Sequence, residues 1–395
     1  NQSYFDPALW HNNEIKKYEG YCSDIFTDEA LKFIEQNKSN QFFCYLSFNA
    51  PHTPLQVPEK YYDLYKDIDP SNFYEEVTSE MTERDVNDAK KIYGMVTNID
   101  ENFGKLLYKL EELDIKENTI VIFLTDNGPQ QTRYVSNLRG LKSQVYNGGI
   151  KVPLYFSYPK LYKKAKDIDF FGAHIDVLPT LSKLCNLTIP SDRKIDGIDL
   201  FDENIDKNNR DFFSYWTRKS PELYKNISLN SDNYKLVGNT DYDSQIENFE
   251  LYDLVNDPTE SKNLILEKNQ LAMDMKNRMD DVYDELIKSK NLVNKPRIHL
   301  GSIYENPTIL NRNDAGGQRG IWAQNEKYGL WRVNFQSGVY NFKFKFNNVD
   351  ESHGQMTLEI GNSVHSKKIY LDDEGFASME TVSYTHLTLP TISCV

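Results

Sequence analysis

Apolar residues in the first half of this chain switch repeatedly between two periods. Ile92, Val96, Ile99, Phe103, Leu106, Leu110 and Leu113 are spaced by fours and threes, the repeat of one face of a long α-helix. Thr119 to Leu124 (TIVIFL) is a continuous β-branched and apolar run, which predicts a buried strand, and it stops abruptly at Thr125-Asp126-Asn127-Gly128-Pro129. Thr27 to Asn37 predicts a shorter helix, with Thr27 as N-cap and Asp28 and Glu29 in its first turn. Gln41 to Phe48 (QFFCYLSF) predicts an aromatic strand that runs into Asn49-Ala50-Pro51-His52-Thr53-Pro54. Val152 to Ser157 predicts another short strand, and Ile175 to Leu187 another helix. Helices and strands in alternation predict an α/β domain with a mainly parallel central sheet.

The texture changes further along. Short strand-like runs at 212–216, 224–229, 234–237 and 249–254 precede a helical stretch over 264–289, predicting a smaller antiparallel subdomain. Beyond Asn294, the segments 328–335, 338–346 and 356–360 alternate strictly and are separated by Gly, Asn and Asp, the pattern of a β-sandwich-like module. Trp322, Trp331 and Tyr340 could stack on sugar rings there, although aromatics at period two are more commonly core. The last stretch, VSYTHLTLPTISCV, resembles a translated sequencing adapter and is set aside, with His386 and Cys394 in it. The expected organisation is therefore 1–208, 209–290, 291–381 and the adapter-like 382–395.

Composition narrows the function classes. Charged residues make up 26% and hydrophobic ones 39%, ordinary for a globular chain, and the net charge is −14. No basic block interrupts the acidic balance, which argues against a nucleic-acid partner. No apolar run approaches the roughly 20 residues that span a bilayer. Cys22, Cys44, Cys185 and Cys394 form no C-x-x-C pair, so neither a zinc site nor a disulfide framework is indicated.

In open α/β sheets the ligand crevice lies beyond the carboxyl ends of the strands, where the loops holding His52 and Asp126-Asn127 are expected. Adjacent Asp and Asn side chains offer hard oxygen donors suited to Ca²⁺ or Mg²⁺, although Asp-Asn-Gly is also a common turn. Arg139 and Lys142, in a glycine-spaced loop just downstream, suit a tetrahedral oxyanion. Taken singly, a surface lysine or a loop histidine satisfied by backbone is the commoner reading of each.

Six blocks taken together resemble the type I sulfatases of the alkaline phosphatase superfamily. They are APHTPL at 50–55, TDNGP at 125–129, RGLK at 139–142, GGIKVP at 148–153, HIDVLPTL at 174–181, and LYDL…DP…E…NL over 251–264. The resemblance implies an alkaline phosphatase-like α/β sandwich and hydrolysis of sulfate esters, on a sulfated carbohydrate or an aryl sulfate, with calcium and formylglycine as cofactors. It implies that Asp126 and Asn127 are calcium ligands. Lys142 would bridge a sulfate oxygen and the ester oxygen, His52 would donate a proton to the leaving group, and Arg139 would lie at the substrate. His174 and Asp176 match a block but read as a helix start. Asn147 departs from the family, which often has Glu there. A phosphate mono- or diesterase of the same superfamily, or a non-catalytic glycan-binding protein, is the alternative. The resemblance implies a periplasmic or secreted location.

The family makes its formylglycine from the Cys or Ser of a Cys/Ser-x-Pro-x-Arg motif, and neither form occurs in these 395 residues. In family order that motif and an Asp-Asp metal pair precede Asn1, so the chain reads as a piece lacking its nucleophile. Asn1–Val395 alone should therefore release no sulfate from any ester, bind calcium weakly and tend to aggregate. Joining an upstream segment with Asp-Asp and Cys/Ser-x-Pro-x-Arg, in a host with the maturation enzyme, should restore activity and solubility. Sulfate release by the purified chain would instead place a nucleophile within residues 1–381.

Overall fold

A 30-residue helix, the longest element, fixes the layout of the first half. The computed structural model describes residues 3–12, 14–73, 81–168, 170–207, 210–217, 221–231, 233–293, 296–311, 314–315, 329–345, 353–360, 363–373, 375–384 and 391–394. Trp322 and His386 lie outside them. The chain divides into two units, Asn1–Asp284 and Glu285–Val395. The sequence boundary at 208/209 lies inside the first unit.

The first unit opens with an antiparallel hairpin, β1 (Ala8–His11) and β2 (Glu14–Lys17), followed by α1 (Cys22–Asn37), the short α2 (Glu59–Tyr62) and the long α3 (Glu83–Glu112). A reciprocal capping box starts α3: the Asp85 N–H donates to Thr82 Oγ1 at 3.2 Å, and the Thr82 N–H donates to the Asp85 carboxylate at 2.9 Å. Its buried stripe runs through Ala89, Ile92, Met95 and Ile99. Val96, expected on that stripe, is exposed, because the stripe follows Met95 instead. Asn98 and Asn102 of α3 both donate to Asp24 Oδ1 of α1, at 2.8 and 2.7 Å, and lock the two helices.

Two expectations are corrected here. The helix expected from Thr27 begins at Cys22, since Cys22 and Ile25 are themselves buried and extend the helical face. Thr27 is interior, with Oγ1 donating to the Ser23 carbonyl at 2.8 Å. Residues 41–48 keep the period-two burial of a strand, with Phe43 76% and Tyr45 82% exposed, but make no ladder among the described residues. Alternation sets which side chains are buried; only a neighbouring strand makes a sheet.

The opening apolar run is β3 (Val121–Leu124). It pairs antiparallel with β4 (Leu154–Ser157), from Val121 opposite Ser157 to Leu124 opposite Leu154. The parallel pairing expected of the central sheet is not among this unit's described ladders. Between the two strands sits α4 (Asn147–Ile150). A 3₁₀ turn, His174–Asp176, leads into α5 (Val177–Leu184), shorter than expected because Asn186 turns into the left-handed region at φ 54°.

The rest of the unit is the antiparallel meander β5 (Asp211–Tyr215), β6 (Ile227–Ser231), β7 (Tyr234–Gly238) and β8 (Glu250–Asp253), then α6 (Asn269–Ile287). β6 starts three residues later than expected, because Tyr224 and Asn226 take positive φ values of 61° and 55°. Ile227, Leu229, Leu236 and Leu251 are fully buried.

The described residues of the second unit form two sheets. One orders β13 (Ser363–Tyr370), β12 (His353–Ile360), β15 (Thr391–Cys394), β10 (Gly329–Phe335) and β9 (Ile298–Leu300); the other pairs β11 (Gly338–Lys345) with β14 (Phe376–Tyr384). One core holds Val333, Phe335, Leu358 and Ile369 from the first sheet with Ala377 and Met379 from the second, as a sandwich requires. Trp331 and Tyr340 pack against this core, and Trp331 Nε1 donates to the Asn311 carbonyl at 2.8 Å. The adapter-like stretch supplies the end of β14 and all of β15.

Candidate active site

The abrupt end of β3 becomes intelligible once its loop is traced. Asp126 is exposed, and its Oδ1 accepts the N–H of Asn127 at 2.8 Å. Asn127 Nδ2 donates to the Gly128 carbonyl at 2.9 Å, which leaves its Oδ1 turned to other uses. Three backbone bonds then staple the glycine-spaced stretch. Gly128 N–H donates to Gly149 at 2.9 Å, Lys142 N–H to Pro129 at 2.7 Å, and Gly148 N–H to Arg139 at 2.6 Å. A Cβ on Gly128 would collide with the Gly148 carbonyl, and one on Gly148 with the Gly140 carbonyl, so these glycines are required by close backbone approach. His174 joins them: its Nε2–H donates to the Thr125 carbonyl at 2.7 Å, one residue before Asp126.

The candidate residues differ in how far the protein has already used them. Lys142 is half-buried, and its ammonium has no hydrogen-bond or ionic partner among the described residues. His52 is exposed; its Nδ1 meets the Thr53 carbonyl at 2.8 Å, which holds Nδ1–H as donor and turns Nε2 outward. Its own carbonyl accepts Tyr4 Oη–H at 3.0 Å. Ala50 and Phe123, two residues before His52 and three before Asp126, pack in one core cluster, which relates the two loops.

Arg139 is already committed. It donates to Tyr252 Oη at 2.5 Å and to Tyr146 Oη at 3.2 Å, sits 3.2 Å from Glu250, and lies 4.0 Å over the Tyr146 ring. Burial would lower its pKa, but Glu250 and the two tyrosines outweigh this and hold it above the usual arginine value. Burial, with a hydrogen bond to Glu250, pushes Tyr146 up to about 12. This geometry gives Arg139 a bracing part between the glycine loop and β8.

Asp176 is buried and accepts from Arg210 through both oxygens, at 3.1 and 2.8 Å, and from the Ala173 and Ile198 N–H groups at 2.8 and 2.9 Å. It holds the start of α5, as a helix-start reading requires.

Sequence reasoning missed a buried cluster under the glycine loop. Lys235 of β7 and Glu260 are both wholly buried, and Nζ lies 2.7 Å from Oε1. Asn147 sits between them. Lys235 Nζ donates to its Oδ1 at 3.0 Å, its N–H donates to Glu260 Oε2 at 2.7 Å, and its Nδ2 donates to the Pro258 carbonyl at 3.1 Å. Burial lowers the Lys235 pKa against the pull of Glu260, and raises that of Glu260 against the pull of Lys235. A signal was present: Lys235 occupies a strand, YKLVG, that is otherwise almost wholly apolar.

The Sulfatase family profile matches residues 2–187, and the profile of N-sulphoglucosamine sulphohydrolase, C-terminal, matches 141–285. Residues 2–187 form a sulfatase-family domain. It is 27% identical over 296 residues to an arylsulfatase of Clostridium perfringens, covering 67% of this chain and 59% of the relative. It is 29% identical over 198 residues to an ulvan-active sulfatase of Formosa agariphila, covering 48% and 37%. Among solved structures it resembles Ps i-CgsB in complex with k-i-k-neocarrahexaose, with a TM-score of 0.59 and 24% identity over 69% of this chain and 57% of that one. That likeness shows the alkaline phosphatase-like α/β fold. The chain spans between about two fifths and three fifths of these relatives' length.

Calcium prefers about six to eight oxygen donors. Asp126 and Asn127 suit it in kind, but no group of three or more His, Cys, Asp or Glu among the described residues could hold a metal. The donor set here is incomplete in number.

Lys235→Met should cost about 3–5 kcal/mol at pH 7, because it leaves the Glu260 carboxylate buried without its cation. Glu260 has a folded-state pKa raised above its ordinary 4.5, so protonation favours the folded state. The loss should therefore shrink as pH falls through that raised value toward 4.5, as urea unfolding across pH would measure. An unchanged midpoint at pH 7 would contradict the assignment.

Proposed function

We propose that the protein hydrolyses sulfate esters on a sulfated carbohydrate. The observation that carries this reading is the stapled pair of loops, which brings Asp126, Asn127 and the uncommitted Lys142 together beyond β3. The arylsulfatase and ulvan-active relatives support the ester and the carbohydrate respectively. Formylglycine would supply the nucleophile and calcium the charge that holds the sulfate oxygens; Asp126 and Asn127 are the donors this chain offers to that ion.

The chain's own residues do the rest. The Lys142 ammonium has no partner among the described residues, so its charge is available to the oxygens on which negative charge grows as the S–O bond breaks. His52, oriented by Thr53, presents Nε2 to the leaving-group oxygen and, when protonated, donates to it. Arg139 braces the loop through Tyr252, Tyr146 and Glu250, and the glycines let backbone approach backbone where side chains would block it.

In the protein carrying its nucleophile motif, Lys142→Ala should lower kcat by about 10²–10³-fold, as losing one transition-state donor does. Unchanged kcat with a raised KM would reduce Lys142 to ground-state binding.

His52→Ala should slow hydrolysis of sugar sulfates by roughly 10²–10⁴-fold and of activated aryl sulfates far less, since a phenoxide leaves without protonation. Equal loss on both substrates would remove His52 from the acid role.

A further inference from the structure

Among the described residues, Lys235 and Glu260 are a wholly buried pair of opposite charges that takes no part in the proposed chemistry. Lys235 and Glu260 are fully enclosed, and such a pair rarely repays its desolvation. Glu260 also takes a left-handed backbone, φ 58°, a conformation that costs a non-glycine residue energy. Desolvation and strain coincide at one residue, and that residue grips the backbone of Asn147.

From Asn147 a short path leads to every candidate residue downstream of β3. Asn147 is fixed at three points, by Lys235, Glu260 and Pro258. Gly148, the next residue, donates to Arg139, three residues before Lys142. Gly149 accepts from Gly128, next to Asn127, and Lys142 donates to Pro129 on the same loop. Both loops are thus referred to one point, and that point is held by β7 and the segment after β8.

We propose that Lys235 and Glu260 are positioning residues: through Asn147 they set the placement of Lys142 and of Asp126-Asn127. The proposal rests on the sulfatase reading for its consequence in turnover, but its structural half stands without it. Asn147 is the suitable link because it donates to the carboxylate and accepts from the ammonium at once. A glutamate there would bring a second carboxylate to a cluster with one lysine.

The test compares Lys235→Met/Glu260→Leu with the unaltered protein. Replacing both charges with apolar groups leaves no charge orphaned, and the buried Asn147 N–H and Oδ1 lose their partners, so stability should fall less than in Lys235→Met but not stay unchanged. Hydrogen exchange on Asn1–Val395 should then show lost protection at the Gly128, Lys142 and Gly148 amides, with Leu229 and Leu236 still protected. In the protein with its nucleophile motif, kcat should fall on the order of tenfold to 100-fold with KM little changed, as misplacement of the reacting groups does. If the double variant does not fold, Glu260→Gln, which keeps an acceptor for the Asn147 N–H, should keep the loop amides protected, whereas Glu260→Leu should expose them. Unchanged protection in Lys235→Met/Glu260→Leu, or in Glu260→Leu where the double variant does not fold, overturns the proposal. Lost protection in a protein that never turns over sulfate esters overturns the sulfatase reading alone.

Discussion

Close approach of two stretches of backbone governs the candidate site. Where Gly128 meets Gly148 and Gly149 there is no room for even one methyl group, so main-chain hydrogen bonds replace side-chain packing as the means of joining loops. A joint of this kind is short and directional, with nothing between its parts to rearrange. It also needs a support beneath it, because a loop held only to another loop is free to move with it. The β7–β8 meander and the Glu260 segment supply that support through Asn147, and Arg139 adds a second brace to Tyr252 and Glu250.

Side chains at the site therefore divide by how much the fold has used them. Arg139, Asn147 and Asp176 spend their hydrogen-bonding capacity on the protein. Among the described residues, the Lys142 ammonium and the outward nitrogen of His52 are kept out of that network. The same distinction separates the two basic residues of RGLK, which sequence alone treats alike.

What was legible in the sequence follows from what is local. The α3 stripe, the β3 run, the β5–β8 meander and strands β10 to β12 of the second unit announce themselves by period, and the site loops by glycine-spaced blocks read jointly; β9, β13, β14 and β15 were not read from the sequence. What was not legible depends on partners distant in the chain. Residues 41–48 carry a strand's alternation, yet no period can supply a neighbour. The α1 start was misplaced because Thr27, a good cap by type, is buried among residues that continue the helix. Lys235 and Glu260 are 25 residues apart and meet Asn147 from far downstream, so only the folded chain shows them as one cluster.

The Lys235–Glu260 contact has a consequence for ionic strength. Mobile ions screen charges that water can reach, over a distance of about 8 Å at physiological salt, and scarcely touch an enclosed pair. The cluster under the loop is electrically balanced and sealed, whereas Asp126, His52 and Lys142 stand where counterions can gather. Added salt therefore acts on the exposed charges of the loops while leaving their foundation in place. A single loop thus has two electrostatic regimes, one tuned by the medium and one indifferent to it.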